Sequence, residues 1–242
     1  MESIAAQTQD QTVTISERIA AIERDVDNNR YSPGPWARLV KEIRGLPVAE
    51  RREFSRDLTR VSRKLHERGG RSTIAAPIGY AAEIVLAFIG AIILAIGAVE
   101  RSGILVIAAA LIWTTAFQPL IKVGVGYLLG IEYEYAYFYG VEPRFKMRFG
   151  QYIAKPRYKR LLLHLSGMIG SPLGAWLPTL FVDPSLRIAI DVCWVVFWIV
   201  VAINVGAFVA VLIGLGSRVG PIRLVDGSGG AAALELREAL EI

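Results

Sequence analysis

The chain has 242 residues, 53 % of them hydrophobic, and its 27 Lys and Arg exceed its 22 Asp and Glu to give a net charge of +5. The single Cys193 excludes an internal disulfide, and with only His66 and His164 beside it there is almost no material for a zinc centre of three or four His and Cys ligands. Most of the excess basic residues flank apolar runs, where they set membrane topology, so the charge does not point to nucleic acid.

Residues 1–11 read as frayed, and from this charged start no cleavable signal peptide is expected. From 12 to 27, Ile15, Ile19, Ile22 and Val26 recur at helical spacing. Asn28 to Pro35 break that pattern, and a short helix follows with Trp36, Leu39, Val40 and Ile43 on one side. Gly45 can end it, and Pro47 can open a third helix whose apolar face carries Phe54, Leu58, Val61 and Leu65. Residues 1–72 are therefore expected to be a soluble, amphipathic-helical region. Two readings stay open for it: a cap that buries its own stripes, or a docking surface for a partner or for anionic headgroups.

Four later runs reach the length needed to cross a bilayer: 76–99, 103–131, 161–182 and 188–216. The links Glu100-Arg101-Ser102 and Asp183-Pro184-Ser185 are tight, so the runs pair as two hairpins. Basic residues crowd the region before the first run, the middle connection and the stretch after the last, while the tight links carry only Arg101 and Arg187. By the positive-inside rule both termini and the middle connection are cytoplasmic, in a multi-pass protein of the inner (plasma) membrane. The expected fold class is an all-α polytopic membrane protein. Its four-helix membrane domain spans 73–217 and includes a cytoplasmic β-hairpin at 132–149, and a cytoplasmic tail with a short helix occupies 218–242. Gly126 with Gly130, and Gly170 with Gly174, have the spacing that lets membrane helices pack closely. Glu83, Asp191 and Asn204 are polar residues inside the runs and hence candidate functional positions.

Residues 132–139, E-Y-E-Y-A-Y-F-Y, alternate strictly and read as a strand with Tyr133, Tyr135, Tyr137 and Tyr139 on one face and Glu132 and Glu134 on the other. After a turn at 140–143, R-F-K-M-R-F alternates again and places Arg144, Lys146 and Arg148 together. A hairpin of these two would turn an aromatic face to the bilayer or the helices, and pair glutamates with basic residues across strands.

Residues 104–181 hold a long helix ending G-Y-L-L-G-I, an aromatic hairpin with F-Y-G, and K-R-L-L-L-H-L-S-G at 159–167. This arrangement resembles the core of the site-2 protease family, the intramembrane zinc metalloproteases of peptidase family M50. The resemblance implies a helix bearing H-E-x-x-H, a small sheet near the cytoplasmic face, and a later Asp-Gly that supplies the third zinc ligand. Aligned on the helix end, the first-histidine, glutamate and second-histidine slots fall on Gln118, Pro119 and Lys122, and Asp226-Gly227 is the possible relic of the third ligand. A protonated Lys repels Zn²⁺, a Gln amide is a poor zinc ligand, and Pro cannot act as a general base. Spacing i, i+4 still puts Gln118 and Lys122 on one helix face. Lys122 either pairs with an acidic side chain where the metal would sit, or snorkels to the headgroups. No catalytic residue, metal or cofactor is expected. The leading expectation is a pseudoprotease that acts as a scaffold, adaptor or accessory subunit, with the lipid bilayer and another membrane protein or complex as partners. The alternatives are an intramembrane metalloprotease with an atypical metal site, and a small transporter or lipid-binding protein using Lys122, Glu83 and Asp191.

Overall fold

A computed structural model describes residues 2–70, 72–139, 142–215, 218–219, 222–223 and 227–240. In chain order its helices are α1 (Glu2–Asp27), α2 (Pro33–Gly45), α3 (Val48–Glu53), α4 (Ser55–Glu67), α5 (Ala76–Val99), α6 (Gly103–Leu128), α7 (Phe149–Ile153), α8 (Arg157–Trp176), α9 (Arg187–Leu212) and α10 (Ser228–Leu240). The strands are β1 (Thr73–Ala75), β2 (Tyr133–Tyr139), β3 (Glu142–Met147), β4 (Arg218–Val219) and β5 (Ile222–Arg223). The chain divides into two compact units, one formed by residues 1–72 with 147–156, the other by 73–146 with 157–242.

In the first unit the helical stripes read from the sequence are the core. Ile15, Ile19, Ile22 and Val26 of α1, Leu39 and Ile43 of α2, and Leu58 and Val61 of α4 are all buried. This is the arrangement of a region that covers its own apolar faces. Charged pairs hold the polar sides together: Arg60 grips Glu23 at 2.8 Å, Lys64 reaches Asp27 at 2.8 Å, and Arg18 reaches Glu42 at 2.7 Å. The hydrogen bond from Arg60 is the main reason the Glu23 carboxyl is held down at about 2.

The segment around α7 belongs to this unit, whereas the expected strand ran on to residue 149. The cause is local. Gly150 lies directly on the backbone of Ser55, where any Cβ would collide, and its N–H donates to Thr59 Oγ1 at 3.0 Å. The Arg51 guanidinium then donates to the carbonyls of Leu46, Ile153 and Lys155, at 2.8, 3.2 and 3.3 Å, which occupies acceptors at the end of α7.

The second unit contains three helices long and apolar enough to cross a membrane: Ala76–Val99, Gly103–Leu128 and Pro184–Leu212. Together with the three-stranded antiparallel sheet β1-β2-β3 they make a mostly helical membrane protein. The run expected at 161–182 is α8 followed by a 3-10 turn, Leu177–Leu180. It is not among those three, because it carries Arg160, His164, Ser166 and Ser171, all buried.

α5 and α6 form the first hairpin. Gly90 sits under the Trp113 indole, whose Nε1 donates to the Ala87 carbonyl at 2.7 Å, and Gly97 lies against Leu105 and Val106. α8 packs on α6 through glycines. Gly170 touches the backbone of Phe117 and Gln118, and Gly174 touches that of Trp113 and Thr114. The Gly126–Gly130 pair has different duties. Gly126 makes room for the Tyr133 ring, and Gly130 takes φ 71° just after α6, where a side chain would be strained. The two tight links meet, with Arg101 3.6 Å from Asp183, which puts both at the same end of the helices.

The expected hairpin is part of a larger sheet, since β1 pairs with β2 in antiparallel register, Thr73 opposite Tyr137 and Ala75 opposite Tyr135. Its aromatic face turns to the helices: Tyr133 and Tyr135 are buried, and Tyr133 packs edge-on against Tyr127 of α6 and Phe145 of β3. On the other face Lys146 feels the charge of Glu134. The C-terminal helix also departs from expectation. It starts at Ser228 rather than 231, and it packs on α8 and α9 with Ser228, Ala232, Ala233 and Glu235 buried. Small residues on one side allow this close approach.

Candidate functional site

The slots Gln118 and Lys122 do share one face of α6, and that face is turned to α8 and α10. Ser171 of α8 donates to Gln118 Oε1 at 3.0 Å, and Gln118 Nε2 donates to Ser228 Oγ of α10 at 3.4 Å. Lys122 Nζ donates to the same Ser228 Oγ at 3.3 Å. Gly167 clears the space, because a Cβ there would meet Ser228 Oγ and the Lys122 stem. One serine hydroxyl, itself 1 % exposed, thus joins both slots. The Lys122 ammonium thus turns toward α10, where it meets a serine hydroxyl.

Pro119 lies between the slots and is buried in the interior of α6. Lacking an N–H, it leaves the carbonyl four residues earlier without its helical donor, yet α6 runs through it unbroken. From the far side Tyr133 donates its hydroxyl to the Lys122 carbonyl at 3.2 Å, so the sheet braces the same turn of helix. Burial, with the like charges of Tyr127 and Tyr80 opposing a phenolate, raises the Tyr133 hydroxyl well above the ordinary range, so it acts as a neutral donor.

The donor set does not fit a zinc ion. An ammonium and a carboxamide stand where two imidazoles would be needed, and no group of three His, Cys, Asp or Glu side chains suited to a metal occurs among the described residues. His164 is buried on α8 and is not part of any such group. Asp226, the possible third-ligand relic, lies outside the described residues.

The other candidates are placed apart. Asn204 adjoins the site. Its amide donates to Val200 within α9 at 3.0 Å, and its backbone carbonyl lies against Gly229, next to Ser228. Asp191 is exposed near the start of α9, 4.0 Å from Arg187. Glu83 is buried on the face of α5 that also carries Gly79, which packs on Ala136 and Phe145 of the sheet, and Gly90, which packs on Trp113 of α6. In the sheet, Arg144 and Lys146 of β3 are half-buried, whereas Arg148, expected beside them, lies past the end of β3 at the start of α7 and is exposed.

No protein-family model, curated protein or solved structure matches the chain.

Sequence reasoning missed Ser171, Ser228 and the pair Arg160–Glu235. Arg160 is one of the basic residues of the middle connection, yet it is fully buried and its Nε donates to Glu235 Oε2 at 2.8 Å. A faint signal exists for the first two. Gly167, Gly170 and Gly174 mark one face of α8 for close approach, and S-G-G-A-A-A is a helix start that is small on every side.

Proposed function

We propose that the chain is a non-catalytic integral membrane protein on a site-2-protease-like framework, a scaffold, adaptor or accessory subunit for another membrane protein. One observation supports this reading above others. The two slots of the metal-binding helix hold an amide and an ammonium, and both are bonded to Ser228. A groove so occupied brings no water nucleophile to a peptide bond, but it joins three helices into a rigid support.

The same proposal makes α8 a fourth crossing, shielded by its neighbours. With its following 3-10 turn it has 20 and 4 residues, enough for a bilayer. Tyr158, Leu162, Ile169 and Leu180 are exposed along it, a stripe suited to lipid, whereas Arg160, His164, Ser166 and Ser171 are buried within the protein. A helix wrapped by others need not be apolar all round. With four crossings, both termini and the sheet fall on the cytoplasmic side of the plasma membrane.

The test is purification in mild detergent from native membranes, with metal analysis and identification of co-purifying proteins. The expected result is no stoichiometric zinc and a second membrane protein in fixed ratio. One zinc per chain, retained on dialysis, sinks the non-catalytic reading. A chain that runs alone sinks the scaffold reading.

A further inference from the structure

α10 packs on α8 through a smooth surface. Ser228, Gly229, Gly230, Ala232 and Ala233 are buried, and Gly167 faces Ser228. Such a surface is nearly the same one helical turn up or down, so it brings the helices together without deciding which residue meets which. Two contacts do decide it. Ser228 meets Gly167, and Glu235 meets Arg160. Ser228 and Glu235 are seven residues apart on α10, and so are Arg160 and Gly167 on α8. At about 1.5 Å per residue the two contacts are rungs roughly 10 Å apart on an antiparallel helix pair. On the other side α10 runs in the same direction as α9, with Gly229 against Asn204 and Arg237 near Gly214. The N-terminus of α10 therefore starts level with the middle of the apolar helices and the chain returns from there toward the end of α9.

We propose that the Arg160–Glu235 ion pair is a register lock. It positions α10 so that Ser228 sits on Gln118 and Lys122. Of the two contacts, the pair is the charged one, and a slip there is severely penalised. Both side chains are essentially unexposed, at 0 % and 1 %, and a four-residue slip in either direction puts Ala231 or Ala239 where Glu235 meets the guanidinium. Separating a buried pair is strongly unfavourable even where the pair adds little net stability over apolar residues of the same volume, and fixing register is the best-attested use of such groups. Arg160 and Glu235 are positioning residues here, and the inference stands whether or not the chain is a protease relative.

The experiment uses the full chain in mild detergent, with Cys193→Ala to remove the native thiol and Ser228→Cys as an isosteric reporter. The rate of reaction with N-ethylmaleimide is read. In the otherwise native background the buried thiol is protected. Single removal of Glu235 harms folding under either account, so the deciding variant is the double Arg160→Met, Glu235→Leu, which removes both charges of the pair together. If the pair sets register, the reporter thiol in this variant reacts at least about tenfold faster, the factor that corresponds to about 1.4 kcal/mol of docking free energy. Unchanged protection overturns the proposal and leaves the pair a merely structural contact. Arg160→Gln with Glu235→Gln removes both charges at similar volume, and serves if the first double variant does not fold. A faster reporter supports the lock, and an unmoved one again overturns it. Metal content, which tests the non-catalytic reading, is unaffected by either result.

Discussion

The two units bury helix faces by opposite means. In the first, large side chains interdigitate: Ile15, Ile19, Leu39, Ile43 and Leu58 are all within 1 % of fully buried. In the second, α8 meets α6 through Gly170 and Gly174, and α10 meets α8 and α9 through Gly167 and Gly229. The difference follows from the solvent. Water drives apolar side chains inward, so size is rewarded. Lipid is as apolar as leucine and gives no such drive, so close backbone approach and internal polar contacts hold the helices instead. Large side chains accordingly end up outside in the membrane unit, as Phe88, Ile104, Trp198 and Ile203 do.

The comparison is sharpest where each unit is given the other's mutation. Leu39→Ala should cost about 2–5 kcal/mol of first-unit stability, since the side chain is fully buried and the cavity collapses only in part. Thermal unfolding followed by proteolysis of residues 1–72 measures it. Gly174→Val should cost about 1–3 kcal/mol or more by driving a side chain into the backbone at Trp113, read as a lower detergent melting temperature. Gly206→Ala is its control, with nothing within 4 Å of the added carbon, and should be silent. If Gly174→Val is also silent, the small-residue account of the membrane unit fails.

What could be read in advance divides along the same line. The stripes of α1, α2 and α4 were legible because apolar periodicity is itself the cause of folding in water. The long helices α5, α6 and α9 were legible from length and apolar content. α10 was legible only as a short tail helix, because glycine and alanine carry almost no hydropathic signal. β1 has three residues, too few to alternate, and is a strand only because β2 offers it an edge. In the site, the shared face of Gln118 and Lys122 followed from i, i+4 spacing. Their partner Ser228 did not, since 106 residues separate it from Lys122 and nothing local marks it.

Polar groups supply a smaller contrast, visible in pH. Glu23 lies in the water-facing unit and is held at about 2, first by its hydrogen bond from Arg60. Its folded value is below the unfolded 4.5, so the carboxylate's contribution is fully present above that pH and is lost as pH falls toward 2. Glu23→Gln should remove this part of the acid limb of a stability profile. A wild-type profile flat through that window, in the unfolding of residues 1–72, breaks the assignment.

Lys146 in β3 has the opposite sign. Burial lowers its ammonium to about 8 from 10.5, and the charge of Glu134 only partly restores it. Between those values the unfolded chain holds a proton that the folded chain releases, so stability rises with pH across the window. At neutral pH the folded chain carries a charged amine in a half-buried place. Lys146→Met should therefore be slightly more stable than wild type near pH 7, and the gap should close as pH climbs past about 8, measured as melting temperatures of the two proteins in the same detergent. A gap that widens instead means that the salt contact with Glu134 outweighs burial, and that the sheet handles charge as the first unit does, by pairing in water.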